Sequence, residues 1–597
     1  MKHIWNSIKI PKKKLDNKLN GLKALILLAS PHIKKIALAI LCVILVNCSE
    51  LLKPFILKVV IDDFLTANVP QTKLYSITSM GLMYFTIVVL GGFFSFSQVN
   101  LINSAAQQIM KSLRTRVFNT IQLLPLSYLD KTSSGRLITR ATNDVAALSE
   151  MYTDVIINLF KDIFLLIGIV YAMVALDVEL ALIAFSVVPI MFFFVFLLKN
   201  KIKNNFSKMK SLIGKINGFM AENISGMKLI QIFRGEKEKK EEFLKLNEEY
   251  FKSTLFQVRL NSILRPASDV FQSVSIAILI WYAMNKIYDH NLEIGVLVAF
   301  TTYIKQFFNP ISDLADNYTT IQSALVSADR IFELLDEEEN LEDLNLGKAM
   351  ENLNGDIEFK NVWFSYNNSC WILKDVSFKV NKGETAAFIG ETGAGKTTII
   401  SLISGFYPIQ KGEILIDGVN INEIKKKDLR RNISVVLQDV FLFSGDIEKN
   451  ISLKDDIDRE DIYHALETTC ALEFVNNLND GIHSPVMERG STFSAGEKQL
   501  LSFARALAHN PSIFILDEAT ANIDTHTEKM IQGVIENVSK DRTTLIIAHR
   551  LSTIRNADKI IVLKQGEIVE IGNHEKLVKK DGYYKNMLQG NNIKDVI

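Results

Sequence analysis

Thr385-Ala386-Ala387-Phe388-Ile389-Gly390-Glu391-Thr392-Gly393-Ala394-Gly395-Lys396-Thr397-Thr398 is the stretch on which the fold of this chain's second half turns. An apolar, strand-like run ends in G-x-x-x-x-G-K-[ST], where glycines let successive backbone amides curl toward phosphate oxygens. In such a loop Lys396 reaches the terminal phosphates and the Thr397 hydroxyl is placed for Mg²⁺. A helix starting near Thr398 adds its positive end to the same anion. Gly390, Glu391, Thr392, Gly393, Ala394, Gly395, Lys396, Thr397 and Thr398 are thus the expected nucleotide cradle. A plain glycine-rich turn before a helix could carry the same string.

Around this loop the chain divides in two. Its 597 residues exceed what one core usually organises, so at least two domains are expected. Hydrophobic residues make up 48% and charged residues 22%, but the balance changes near residue 325: apolar runs of bilayer length lie before it, short β-like runs after it. A formal net charge of +1 gives no global field for a nucleic-acid partner. Cys42, Cys48, Cys370 and Cys470 show no C-x-x-C spacing, so neither a disulfide framework nor a zinc site is expected.

Windows of about 20 mainly apolar residues read as membrane spans. Six are expected: Ile36 to Ile61, Ser76 to Phe96, Val155 to Leu176, Leu180 to Leu198, Val270 to Met284 with flanks, and Ile294 to Ile311. The last two are weakest, since Lys305 interrupts the sixth and Arg265 with Asp269 crowds the start of the fifth. Residues 1–35 are lysine-rich with Asp16 as their one acid, and the stretch before the third span holds Lys111, Arg114, Arg116, Lys131, Arg136 and Arg140. Those basic segments belong on the cytosolic side, so the N-terminus and, after an even number of spans, the second half are expected in the cytosol. No removable signal peptide is expected. Leu19 to Ser30 reads either as a surface amphipathic helix or as a polar tail. The long stretches between spans two and three and between four and five look helical, with Ile224, Met227, Leu229, Ile232 and Phe233 at helical spacing.

Beyond the phosphate loop, Ser512 to Leu516 is an apolar β-like run ending in Asp517-Glu518. Acids at a strand's C-terminal end sit beside the phosphate loop of a parallel sheet, which suits Asp517 for Mg²⁺ held through water and Glu518 for the attacking water. Many strands end in acids, so these two gain meaning from their neighbours. Phe493-Ser494-Ala495-Gly496-Glu497-Lys498-Gln499-Leu500 resembles the signature segment of ATP-binding cassette (ABC) proteins. Gln438 in Val435-Val436-Leu437-Gln438-Asp439, Ala521-Asn522-Ile523-Asp524 and His549 in Ile546-Ile547-Ala548-His549-Arg550 follow that family's order. So does Tyr366 in Phe364-Ser365-Tyr366. Leu124 to Leu129 with Gly135-Arg136-Leu137 and Asn143-Asp144, and Glu222 to Phe233, look like the two long intracellular loops of its exporters.

The resemblance covers nearly the whole chain and implies a half-transporter: an α-helical six-span transmembrane domain followed by an α/β P-loop NTPase (ABC ATPase) domain. It implies an ATPase using ATP and Mg²⁺, with Tyr366 stacked on adenine, Glu518 orienting or deprotonating water, and His549 on the γ-phosphate beside Lys396. Thr397, Gln438 and Asp517 would serve the metal, and Glu488 would meet the intracellular loops. Ser494, Ala495, Gly496 and Glu497 would act in trans on nucleotide held by a second chain, with Asp524 crossing the dimer interface. The family's usual signature is Leu-Ser-Gly-Gly-Gln, from which this chain departs at Phe493, Ala495 and Glu497. An altered signature beside an intact Glu518 favours a heterodimer with a second half-transporter over a homodimer. Ionisable residues in the spans, notably Glu50, Lys53, Lys305, Asp313 and Asp316, either line a translocation path or pair and snorkel.

The expected organisation is an N-terminal segment over 1–30, a transmembrane domain over 31–325, a linker over 326–355, a nucleotide-binding domain over 356–590 and a tail. The expected activity is ATP-driven export of an amphiphilic drug or lipid from a multi-pass position in the cell membrane. The alternative is an ATP-gated channel or regulatory protein of the same build. A nucleic-acid partner is not expected.

Overall fold

The computed structural model describes residues 27–66, 76–288, 292–337, 341, 343–367, 370–453, 457–517, 525–539, 542–547 and 554–589. Its contacts divide into two compact units, one of Met1–Gln122 with Ser134–Glu339, the other of Leu123–Ser133 with Asn340–Ile597.

The first unit is helical. α1 (Ile33–Val59) carries Pro54 and widens into a π turn over Val60–Thr66, and α2 spans Ile77–Leu123. The short α3 (Leu126–Leu129) follows, within the segment whose contacts belong to the second unit. A helical run from Ser134, with π turns at Arg140–Asp144 and Met151–Val155, ends in α4 (Ile156–Leu176). α5 (Val178–Phe185) starts where the Asp177 carboxylate accepts the Leu180 amide at 2.9 Å, a side-chain cap for an otherwise orphaned donor. α6 (Val188–Ser225), α7 (Glu236–Tyr288) and α8 (Ile294–Asp336) complete the unit.

Length separates these helices from simple spans. At about 1.5 Å per residue, α2, α6, α7 and α8, with 47, 38, 53 and 43 residues, measure roughly 70, 57, 80 and 65 Å against about 30 Å of hydrocarbon. Each must run well past the bilayer. The helical reading of the long stretches is therefore what the structure shows, as direct continuations of spans: α7 changes along its length from Lys/Glu-rich at Glu236 to apolar at Val270 to Met284.

Among the described residues, five helices are long and apolar enough to cross a membrane: Leu27–Thr66, Ile77–Leu123, Ser134–Leu176, Val178–Ser225 and Glu236–Tyr288. With α8 the count is six. α8 has the length but carries Thr301, Thr302, Lys305, Gln306 and Asn309 among its apolar residues. Its apolar side is deeply packed instead: Phe300, Tyr303, Ile304 and Phe308 join Ile169 and Met173 of α4, Leu180 of α5 and Leu279 of α7 in one buried core. Small residues, Ala181, Ala184, Ala283 and Ala299, let these backbones approach, and the Ser275 hydroxyl donates to the Ala184 carbonyl at 2.8 Å. Close packing and interhelical hydrogen bonds are what bind helices together where lipid removes the hydrophobic drive.

The far end of α8 is tied to the first long loop by charge. Ser327 donates to the buried Asp144 carboxylate at 2.8 Å, Arg330 approaches the same carboxylate at 3.5 Å, and Arg140 meets Glu333 at 3.0 Å. α8 continues to Asp336, so the first part of the segment read as a linker, 326–355, is helical.

Among the described residues the second unit holds three sheets. Strands β1 (Ile357–Phe364), β2 (Leu373–Val380), β4 (Lys411–Ile416) and β5 (Val419–Asn420) form an antiparallel sheet in the order β2-β1-β4-β5. Two short strands, β7 (Gly445–Asp446) and β8 (Pro485–Val486), pair antiparallel by themselves. In the largest sheet β3 (Thr385–Ile389), β6 (Ile433–Val436), β9 (Ile513–Asp517), β10 (Thr543–Ile547) and β11 (Lys559–Lys564) are parallel, and β12 (Glu567–Gly572) closes the edge antiparallel, in the order β12-β11-β3-β10-β9-β6. These central strands read as unbroken apolar runs because both faces are covered. Successive residues divide between two cores: Ala386, Phe388, Ile513, Ile515, Leu545 and Ile547 pack on one side, Ala387, Ile389, Phe514, Leu516 and Ile546 on the other.

Candidate nucleotide site

β3 ends at Ile389, and the chain turns through Gly390 to Gly395 into α9 (Lys396–Ile403), two residues earlier than the expected helix start. Gly395 caps α9 with φ 102°, a left-handed conformation, and a Cβ there would meet the Leu373 side chain at 2.6 Å. Only glycine meets both demands. α9 buries Ile399, Ile400, Leu402 and Ile403 against the β3 face that carries Ala386 and Phe388. Its first turn is thereby fixed over the sheet's C-terminal edge with its amides facing the loop.

Lys396 is nearly buried, and its ammonium donates to the carbonyls of Gly390 at 2.6 Å and Glu391 at 3.1 Å. The charge sits inside the curl, where phosphate oxygens can replace those carbonyls. The Thr397 hydroxyl is exposed beside it. Glu391 is held on the outer side by the Tyr583 hydroxyl at 2.8 Å.

The strand register places the acid. Asp517 ends β9 level with Ile547 of β10, which pairs with Phe388 of β3. Asp517 follows Ile513 and Ile515 in the alternation, so it shares their face, the one on which α9 packs. Lys396, Thr397 and Asp517 are therefore brought together at one edge of the sheet. The cationic loop, hydroxyl and carboxylate form a donor set suited to a nucleotide's phosphates with a hard divalent cation. Gln438, exposed, lies two residues beyond the end of neighbouring β6. Glu518, Ala521 to Asp524 and His549 lie outside the described residues.

Tyr366 stands at the end of β1 with its ring 41% exposed and its hydroxyl 3.2 Å from that of Thr398 in α9. An exposed ring anchored to the phosphate-loop helix suits a flat base. It packs edge-on against Phe364 and Tyr407, with centroids 4.8 and 5.0 Å away. The Tyr407 hydroxyl donates to the Asp130 carboxylate, in the loop segment just after α3. Burial and that carboxylate hold the Tyr407 phenol well above its usual range. Nothing in the local sequence at Tyr407 or Asp130 marks this contact.

Arg505 is a second residue that motif reading passes over. In α11 (Ala495–Ala508) its guanidinium donates to the carbonyls of Asn450 at 2.7 Å and Phe441 at 3.0 Å, and to the Asn450 side chain at 3.2 Å. Asn450, in α10 (Ile447–Ser452), in turn bridges both backbone groups of Phe443. The segment after Gln438 is thus fastened to α11. Burial lowers the Arg505 pKa, yet leaves a guanidinium charged near neutrality. A lone Arg on the apolar face Phe503 to Ala508 was the available signal.

α11 begins at the signature. Ser494 and Glu497 form a reciprocal capping box: the Ser494 amide donates to the Glu497 carboxylate at 2.8 Å, and the Glu497 amide to the Ser494 hydroxyl at 3.2 Å. Ser494 and Ala495 are exposed and Gly496 is buried. A negative carboxylate therefore occupies the donor-rich end of the helix that would otherwise face an anion.

Comparison with known proteins agrees with this architecture. Residues 36–311 match the family described as the ABC transporter transmembrane region, and residues 373–521 match the family described as ABC transporter. A probable multidrug resistance ABC transporter ATP-binding/permease protein of Bacillus subtilis, YheH, is 40% identical, covering 87% of this chain and 77% of that protein. An ATP-dependent lipid A-core flippase of Syntrophus aciditrophicus is 33% identical, covering 96% of this chain and 94% of that one. Among solved structures, a bacterial Atm1-family ABC exporter with ATP bound superposes with a TM-score of 0.80 at 27% identity, covering 94% of this chain and 99% of that chain.

Proposed function

The chain belongs to the ABC transporter family, as an ATP-hydrolysing exporter with one membrane domain and one cassette, and from that premise we propose that it exports an amphiphilic molecule as one half of a heterodimer. The observation that carries the reading is the joining of six long helices to a cassette whose Lys396, Thr397 and Asp517 share one sheet edge. Relatives named for multidrug resistance and for lipid A-core flipping support an amphiphilic cargo. The charge pattern of the short loops supports a multi-pass position with N-terminus and cassette in the cytosol.

In this reading Lys396 and the loop amides bind the β- and γ-phosphates, and Tyr366 stacks on the base. Thr397, Asp517 and Gln438 hold Mg²⁺, which when bound neutralises charge on the phosphates. Glu518 aligns and deprotonates the water, His549 steadies the γ-phosphate beside it, and Asp524 links the two cassettes. Ser494, Ala495, Gly496 and Glu497 complete the site of the partner chain. Glu497 sets its charge against the γ-phosphate there, so the two ATP sites of the assembly are unequal. A partner with the neutral signature would complete this chain's own site, where Glu518 works. Purification from the native membrane tests the pairing: a second half-transporter in equal amount is expected, and an active assembly of this chain alone contradicts it.

The Tyr366–Tyr407–Asp130 contacts give nucleotide binding a direct route to the first intracellular loop. Tyr407→Phe keeps the ring against Tyr366 and removes only the hydroxyl. Nucleotide affinity is expected to stay within about twofold, while stimulation of ATPase by transported substrate falls about fivefold, by the loss of one charge-assisted hydrogen bond. Affinity and stimulation falling together would assign Tyr407 to base binding alone.

A further inference from the structure

The geometry points to a recognition point for an anionic head at mid-bilayer, formed by Lys305 and Asn309 of α8; it deepens the exporter reading above and rests on it. α8 is two-sided. Val296, Ala299, Phe300, Tyr303, Ile304, Phe307 and Phe308 are buried, whereas Lys305 and Asn309, one turn apart, are exposed on the opposite side. The neighbouring Thr301 and Thr302 hydroxyls are turned back to the Val298 carbonyl at 2.8 and 3.0 Å. The ammonium of Lys305 and the amide of Asn309 are left as the outward donors of that stripe.

Depth makes this cation informative. Counting from Ile294, Lys305 lies about 16 Å along α8, near the middle of about 30 Å of hydrocarbon. The Tyr303 hydroxyl donates to the Leu51 carbonyl at 2.7 Å, which sets α8 level with the part of α1 that carries Glu50 and Lys53. Those two pair with each other at 2.7 Å and cancel. Lys305 makes no hydrogen bond or ion pair among the described residues, so its charge is left without a counterion there. A lysine stem is too short to bring its charge to an interface about 15 Å away, and an unpaired ammonium facing lipid is costly. Its surroundings must then be a polar path that an anion can enter. A cation with an amide one turn away suits an oxyanion, carboxylate or phosphate, attached to an apolar tail.

The test uses the chain reconstituted with its partner half in zwitterionic vesicles, and three probes: a long-chain fatty acid, a lysophosphatidic acid and an alkyltrimethylammonium of equal chain length. ATP-driven transport and stimulated ATPase are expected for one or both anions and not for the cation, and the pair of anions separates carboxylate from phosphate as the preferred head. Lys305→Gln should raise the half-maximal anion concentration about tenfold, Lys305→Arg should leave it within about threefold, and Lys305→Glu should favour the cation. Basal ATPase should stay within about twofold in all three. Equal weakening for anions and cation, no change in either, or loss of assembly in Lys305→Gln rescued by Arg would overturn the proposal, the last by assigning Lys305 to an acid of the partner half. Export of the cation alone by the unmodified protein would also overturn it while leaving the exporter reading intact; absence of any ATP hydrolysis would remove both.

Discussion

Lys396→Ala is expected to lower ATP turnover at least about 10²- to 10³-fold, the scale on which removing one preorganised donor from a developing anion acts. The ammonium is nearly buried and held by the Gly390 and Glu391 carbonyls at 2.6 and 3.1 Å, inside the curl that phosphates would fill. Without it, the triphosphate loses the cation that offsets its charge in both the bound and reacting states. Affinity for ATP should therefore fall together with turnover. The fold should persist, because α9 is anchored by Ile399, Ile400, Leu402 and Ile403, all on its packed side. Steady-state ATPase and direct nucleotide binding on the reconstituted assembly check both halves; near-normal turnover would show that this loop is not the hydrolytic cradle.

Glu518→Gln should separate what Lys396→Ala combines. Turnover is expected to fall about 10²- to 10⁴-fold, the range for losing a positioned general base, while ATP still binds. Asp517 lies on the α9 face at the end of β9, and Glu518 is the next residue of the chain. The amide keeps the shape of the carboxylate and removes its basicity. Cassettes closed on ATP should accumulate and be visible as nucleotide retained through gel filtration. Retention unchanged with turnover intact would move the base elsewhere.

The strand-loop-helix turn was legible because its signal is local: the motif sets glycine and lysine at fixed spacing, and the strand expected over Thr385 to Ile389 has those bounds. The spans were legible for the same reason, except that α8 is marginal in apolarity, since its polar residues lie on one side while Tyr303 and Phe308 pack on the other. The Ser494 and Glu497 box could be anticipated from S-x-x-E, but not that both bonds form together. Contacts joining distant segments were silent. Tyr407 meets Asp130, and Arg505 meets Phe441 and Asn450, across sequence separations that carry no periodic signal.

The central claim is that ATP hydrolysed at Lys396 and Glu518 drives export. It is tested most directly in inside-out vesicles containing the purified chain and its partner half, by following uptake of fluorescent fatty-acid, lysophosphatidic-acid and alkyltrimethylammonium probes with ATP, with a non-hydrolysable analogue, and in Glu518→Gln. Uptake with ATP alone, lost in the variant and with the analogue, is the expected result. Equal movement under all three conditions, or ATP hydrolysis without any uptake, would contradict it.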